Sequence, residues 1–242
     1  MDLIIDIGNT QTKYAFFQNK EMLEFKVSHK HDLALIDEWL EKHSSMDAVI
    51  VSSVQGRPEE LLKELDNRFN HLIFFDQNTL TPLDNLYESK ETLGYDRLAA
   101  CVGANDISPN TDLLVIDAGT AITFDFVSLK NEYLGGTISP GLSMRFKALN
   151  VFTKKLPLLD KSDSFNLIGQ NTSEAIISGV QNSLLFEIEG YINQLKEKHH
   201  KAKIFLTGGD SEFVHSLLDD SIVTDKTLLL RGLLTILNYN KS

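Results

Sequence analysis

One cysteine, one tryptophan and five prolines in 242 residues exclude several kinds of protein at the outset. Cys101 alone cannot close an internal disulfide, so a disulfide-stapled extracellular scaffold is ruled out and a reducing cytoplasm is the expected compartment. Long apolar runs are missing: none approaches the ~18 residues that a membrane-spanning helix needs. Positive charge is scarce as well. Twenty-three lysines and arginines face 34 acidic residues, a formal net charge of −11. Such a surface repels polyanions, so neither nucleic acid nor an acidic membrane is an expected partner, and any anionic ligand must be held by a few local cations. His29, His31, His43, His71, His199, His200 and His215 stand at no zinc-ligand spacing with cysteine or with one another. The chain carries no G-x-x-x-x-G-K-[ST] loop, no G-x-G-x-x-G after a strand and no G-x-S-x-G elbow. Met1-Asp2 runs straight into a strand-like segment, so no targeting leader is expected.

What the chain does have is an alternation of strand and helix patterns, with 42% hydrophobic and 24% charged residues. LIIDIG, TKYAFFQ and EFKVS read as a three-strand meander, and Leu33, Ile36, Trp39 and Leu40 place a helix over 31–43 that Asp32 can begin. AVIVSS (48–53) and LIFF (72–75) read as strands around a helix at 58–69. Residues 76–87 read as a loop, and a further helix starts near Asp96. The turn-rich stretch DISPNTD (106–112) divides the chain into expected domains 1–112 and 113–242. A second meander follows in LLVIDAG, AITFDFVS and EYLGGTIS, then a helix over 172–198, a buried strand and turn over 203–209 and an apolar helix over 227–238.

One repetition stands out. VIDAGTAITFDFV in the second half echoes IIDIGNTQTKYAFF in the first, placing Asp6 and Asp117 111 residues apart in the same strand–turn–strand context. A lone Asp-x-Gly is most simply a turn. Two copies suggest a duplicated domain whose carboxylates and glycine turns surround one cleft. Gly8, Asn9 and Thr10 can offer backbone N–H groups and a hydroxyl to a phosphate, and Gly119 and Thr120 can do the same. Lys13 can reach back as a point charge, and Asp6 and Asp117 can hold a cation, divalent or monovalent. Phosphoryl transfer needs just such positioning and charge neutralisation. In GYDR (94–97) Asp96 can begin a helix as its N-cap, or accept a proton from an attacking hydroxyl while Arg97 clamps a carboxylate. GGTISPG (135–141) and TGGD (207–210) are either ligand walls or structural turns.

Taken together, DIGNTQTK (6–13), GYDR (94–97), DAGTA (117–121), GGTISPG (135–141) and NTSEAIISG (171–179) resemble the type III pantothenate kinases, within the superfamily of acetate and sugar kinases, Hsp70 and actin. The resemblance implies an α/β fold of two similar ribonuclease H-like (actin-like ATPase) domains, each a mixed sheet flanked by helices, facing across a cleft. It implies ATP-dependent phosphorylation of the pantothenate 4′-hydroxyl, the opening step of coenzyme A biosynthesis. By matching position, Asp6, Ile7, Gly8, Asn9, Thr10, Gln11, Thr12 and Lys13 would surround the ATP phosphates, and Thr120 would touch ATP. Gly94, Tyr95, Asp96 and Arg97 would bind pantothenate, with Asp96 as proton acceptor and Tyr87 lining the pocket. Asp117 would hold a monovalent cation, potassium or ammonium, and Mg²⁺ would accompany the nucleotide. Thr172 would reach pantothenate from the second subunit of a homodimer; Ile176, Ile177, Val180, Leu184, Leu185 and Ile188 on that helix are either the subunit contact or a plain core-facing stripe. Two other readings remain: a related small-molecule kinase, or an accessory regulator of transcription with little catalysis.

Overall fold

The computed structural model describes residues 1–29, 32–43, 47–218 and 221–241; His31, at the start of the first expected helix, lies outside them. The chain divides into two units, 1–109 with 131–133 and 227–242, and 110–130 with 134–226.

In the first unit β1 (Asp2–Ile7), β2 (Thr12–Gln18), β3 (Glu21–Ser28), β4 (Ala48–Ser53) and β5 (His71–Phe74) form a mixed sheet in the order β3-β2-β1-β4-β5. The meander half is antiparallel and the β1-β4-β5 half parallel, as strand–helix–strand connections require. α1 (Leu33–Lys42) starts where Asp32 accepts a hydrogen bond from the Leu35 backbone N–H, 3.0 Å, which satisfies one orphan donor of the first turn. Leu35, Ile36 and Trp39 from α1, with Leu61, Leu62 and Leu65 from α2 (Glu59–Asp66), pack on Leu3, Ile5, Ile7, Tyr14, Phe16, Val49 and Val51. Side chains alternate along a strand, so Ile4, Asp6, Ala15 and Ser52 belong to the other sheet face. α3 (Tyr95–Ile107) and α7 (Leu228–Asn240) pack on this sheet and on each other. Their contact is close because both present glycine. A methyl group on Gly232 would run into the Ala99 carbonyl oxygen, and one on Gly103 into that of Leu228.

This pairing is why the units interleave where the sequence suggests one cut after residue 112. The chain leaves the first unit at Pro109 and returns to it with α7.

In the second unit β7 (Leu113–Ala118), β8 (Ala121–Ser128), β9 (Glu132–Pro140), β10 (Lys203–Thr207) and β11 (Val223–Thr224) run in the order β11-β10-β7-β8-β9. β7 and β8 are antiparallel, whereas β10 is parallel to both β7 and β11. The first two residues of β9 count with the first unit, where they pair with β6 (Asp84–Asn85). α4 (Leu142–Phe152) and α5 (Thr172–Lys198) cover one face through Leu142, Phe146, Ile176, Val180, Leu184 and Ile188, seated on Leu114, Ile116, Ile122 and Phe124. A short α6 (Ser211–His215) adds Val214. Of the six residues named above for a subunit contact or a core-facing stripe, five belong to the core of their own unit, and Leu185 is half-buried. Ile176, Val180, Leu184 and Ile188 are buried in their own unit and Ile177 packs against that core, because they occupy the inward stripe of α5.

Candidate active site

In the first unit, β1 ends at Ile7 and β2 begins at Thr12, so Gly8, Asn9, Thr10 and Gln11 make a four-residue connection. Gly8 N–H closes it on the Gln11 carbonyl oxygen at 3.0 Å. Two side chains outside the motif brace its backbone. Gln55 Nε2 donates to the Gly8 carbonyl oxygen at 2.6 Å, and His29 Nδ1 lies 3.3 Å from that of Thr10, which requires the proton on Nδ1. Neither residue belongs to a motif, so only their three-dimensional proximity reveals them. Asn9, Thr10 and Gln11 are exposed, while Asp6, Ile7 and Thr12 are buried. Lys13 stands opposite Asp6 across the β1–β2 ladder, and its Nζ lies 3.7 Å from Asp6 Oδ2. A half-exposed ammonium beside a buried carboxylate keeps the lysine tethered while its charge faces outward, as a phosphate contact needs.

GYDR opens α3 in the same unit, with one correction to the capping expectation. Gly94 is the N-cap, and Asp96 lies inside the first turn. Asp96 Oδ1 accepts a hydrogen bond from the Arg97 backbone N–H at 2.9 Å. A carboxylate here is favoured by the positive end of the helix dipole. A side chain on Gly94 would place its Cβ 2.6 Å from Asp96 Oδ1, so the glycine leaves the carboxylate its position. Arg97 is buried apart from 7% of its surface, with its guanidinium carbon 5.8 Å from the centre of the Tyr87 ring. Tyr87 thus joins the GYDR cluster although seven residues separate it from Gly94. Tyr95 packs edge-on against Phe75, ring centres 5.0 Å apart, and donates to the Lys90 carbonyl oxygen at 3.0 Å. Burial, then the charges of Asp76 and Glu91, raises the Tyr95 phenol above its ordinary value, so it stays protonated at neutral pH.

The second acidic turn is tighter. β7 ends at Ala118 and β8 begins at Ala121, leaving Gly119 and Thr120 between them. Gly119 N–H bonds the Ala121 carbonyl oxygen at 3.1 Å, and Gly141 N–H bonds that of exposed Thr120 at 3.2 Å. The TGGD turn folds over the acid. Gly208, at φ +98°, lies so close that a Cβ would meet Asp117 Oδ1 and come within 2.5 Å of the Ala118 carbonyl oxygen. Only glycine accepts both that conformation and that approach. Across the ladders Asp117 stands between Thr207 and Thr123.

Thr172 is the first residue of α5, behind an N-terminus capped by Asn171. Glu174 N–H donates to Asn171 Oδ1 at 3.0 Å, and Glu174 Oε1 accepts from Asn171 Nδ2 at 2.7 Å. Thr172 lines a cavity of about 820 Å³ between α4 and α5 with Arg145, Leu149, Phe152, Ile176 and Ser183. Outward from there, Val151 and Phe152 are 70% and 85% exposed. Among the described residues no helix is long and apolar enough to cross a membrane, and no group of three or more His, Cys, Asp or Glu is placed to hold a metal ion.

A family model described as type III pantothenate kinase matches residues 2–194. A curated relative from Bacteroides fragilis, named type III pantothenate kinase, is 43% identical over 240 residues, covering 99% of this chain and 98% of its own. Among solved structures, a Campylobacter jejuni protein described as a Baf family transcriptional activator is similar with a TM-score of 0.66 and 27% identity, over 99% of this chain and 98% of that one. A Listeria monocytogenes protein described as an N-acetylmannosamine kinase aligns over 100% and 99% with a TM-score of 0.59 at 12% identity, a likeness of fold alone.

Proposed function

This chain belongs to the type III pantothenate kinase family, and from that premise we propose how its residues divide the work. The reaction is ATP-dependent phosphorylation of pantothenate to 4′-phosphopantothenate, the first step of coenzyme A biosynthesis. The observation that carries the assignment of roles is the cluster at the start of α3. Asp96 is held there by the Arg97 N–H, with Arg97 and Tyr87 beside it.

In this reading Gly94, Tyr95, Asp96 and Arg97 bind pantothenate, Arg97 pairing with its carboxylate and Tyr87 lining the pocket. The 4′-hydroxyl oxygen attacks the γ-phosphorus, the bond to the ADP oxygen breaks, and Asp96 takes the hydroxyl proton. Its place at a helix N-terminus weakens it as a base, which a loose phosphoryl transition state tolerates because positioning matters more than basicity. Asp6 through Lys13 surround the ATP phosphates: the exposed connection offers N–H groups and Lys13 offers charge. Thr120 touches ATP as well.

Kinase chemistry implies a divalent ion, Mg²⁺, with the nucleotide. Asp117 fits a monovalent cation, potassium or ammonium. Its carboxylate sits in a cradle that a side chain at 208 would fill, and its neighbours along the ladder are neutral hydroxyl residues. Such an ion supplies charge neutralisation for phosphate. The chain works as a cytoplasmic homodimer, in which Thr172 completes the partner's pantothenate pocket and the exposed Val151 and Phe152 lie in the subunit contact. Neither nucleic acid nor membrane takes part.

Purified protein with ATP, Mg²⁺ and pantothenate, with and without potassium, tests this directly. Pantothenate-dependent ADP formation is expected, falling by about 10²–10⁴-fold in Asp96→Asn. Turnover of a hexose or acetate in place of pantothenate would overturn the substrate. An absence of ATP turnover would favour the regulator reading, the class in which the Campylobacter protein is described.

A further inference from the structure

We infer that the Thr123 hydroxyl is an oxygen ligand, beside Asp117, for the monovalent cation; the inference rests on the reading that places this ion at Asp117. Thr123 lies in β8 on the sheet face opposite the α4–α5 core and is only 9% exposed. Its Oγ1 is buried and makes no hydrogen bond within the protein. A buried hydroxyl left in that condition destabilises the fold, whereas valine would fill the same space without that cost. A group from outside the protein accounts for the hydroxyl.

Its surroundings say which kind. Thr123 is directly opposite Asp117 in the β7–β8 ladder, so the two side chains share one face at a separation a single ion can bridge. Asp125, two residues along on that face, is 1% exposed and adds a second carboxylate nearby. A hydroxyl oxygen among carboxylates suits a cation with oxygen ligands. The first unit supplies the comparison. There the residue opposite the aspartate is Lys13, a covalently held positive charge. The second unit puts a hydroxyl in that place and leaves room for an exchangeable one.

The test uses the full chain as Thr123→Val, Thr123→Ser and Asp117→Asn. One readout is the KCl midpoint for activity; the other is the rise in Tm with KCl over an equal concentration of tetramethylammonium chloride. Thr123→Val is expected to raise the KCl midpoint by about 10-fold and to remove the KCl-specific rise in Tm, with Tm in tetramethylammonium retained. Thr123→Ser is expected to restore both. A Thr123→Val protein with an unchanged midpoint and an unchanged KCl rise would overturn the inference. If Asp117→Asn alone loses both responses, the inference fails and the Asp117 reading stands; if neither variant moves them, that reading fails with it.

Discussion

Lys13 faces Asp6 across one strand ladder, and Thr123 faces Asp117 across its counterpart. The residue on the other side matches in kind: Ser52 beside Asp6, Thr207 beside Asp117. Between their strands, the first turn has four residues and the second two. The longer connection exposes Asn9, Thr10 and Gln11, with a lysine behind them, whereas the shorter exposes Thr120 alone and follows Asp117 and Ala118, on which Gly208 closes. Two like strand–turn–strand frames thus share the acid and differ in the charge and access around it. One copy suits an anion approaching from solvent, the other a small cation close to the backbone.

The comparison can be broken or sharpened by substitution, and the largest effect is expected at the first turn. Lys13→Met should lower kcat/KM for ATP by about 10²–10³-fold, as the loss of an aimed positive group at a developing charge does, while leaving the KCl midpoint in place. Steady-state kinetics at fixed pantothenate would check this. Next in size, Gly208→Ala should lose about 1–2 kcal/mol of stability, because a side chain is strained at φ +98°, and should raise the KCl midpoint. Gly8→Ala, whose Cβ would lie 3.1 Å from the Gln11 carbonyl oxygen, should cost less and act on ATP. Urea denaturation of the two variants would separate them. Thr172→Ala should raise the pantothenate KM by roughly 3–10-fold, the net worth of one hydrogen bond, and leave the ATP KM unchanged. Phe152→Asp should shift the protein toward monomer in analytical ultracentrifugation and lower activity with it.

The smallest effect belongs to a residue outside both turns and serves as a control. Glu24 accepts from Lys42 Nζ at 2.5 Å and pairs with His43 Nε2 at 2.9 Å. The bond to His43, then that to Lys42, holds its carboxyl below its ordinary value of 4.5. A carboxyl lowered by folding adds stability above its unfolded pKa and loses it as pH falls through the folded one. Tm should therefore drop less steeply with acid in Glu24→Gln, with kinetics for both substrates unchanged at neutral pH.

Much of this architecture was legible in the linear pattern. The two meanders, the α1 cap at Asp32 and the full span of α5 follow from alternation, a capping aspartate and a long amphipathic stripe. The motifs at 6–13 and 94–97 stand out in the sequence as glycines and charged groups close together, and the structure puts the first at a strand connection and the second at a helix start. What escaped was decided by contact at a distance. β6 and β11 are two residues each and exist only through the strands they join. α7 reads as a closing helix of the second half, yet Gly103 and Gly232 let it dock on α3. Asp96 reads as a cap because aspartates often are, but Gly94 holds that position. Gln55 and His29 look like ordinary polar residues until folding brings them to the Gly8–Gln11 connection. Thr123 reads as a common strand former; only its buried, unbonded hydroxyl marks it.

The division of labour between the turns can be tested in one pair of titrations, ATP and KCl, run on Lys13→Met and Asp117→Asn. The account expects Lys13→Met to shift the ATP curve and keep the KCl curve, and Asp117→Asn to abolish the KCl dependence while pantothenate still saturates normally. If both variants displace the same curve by the same amount, the two turns do one job between them and the account is wrong.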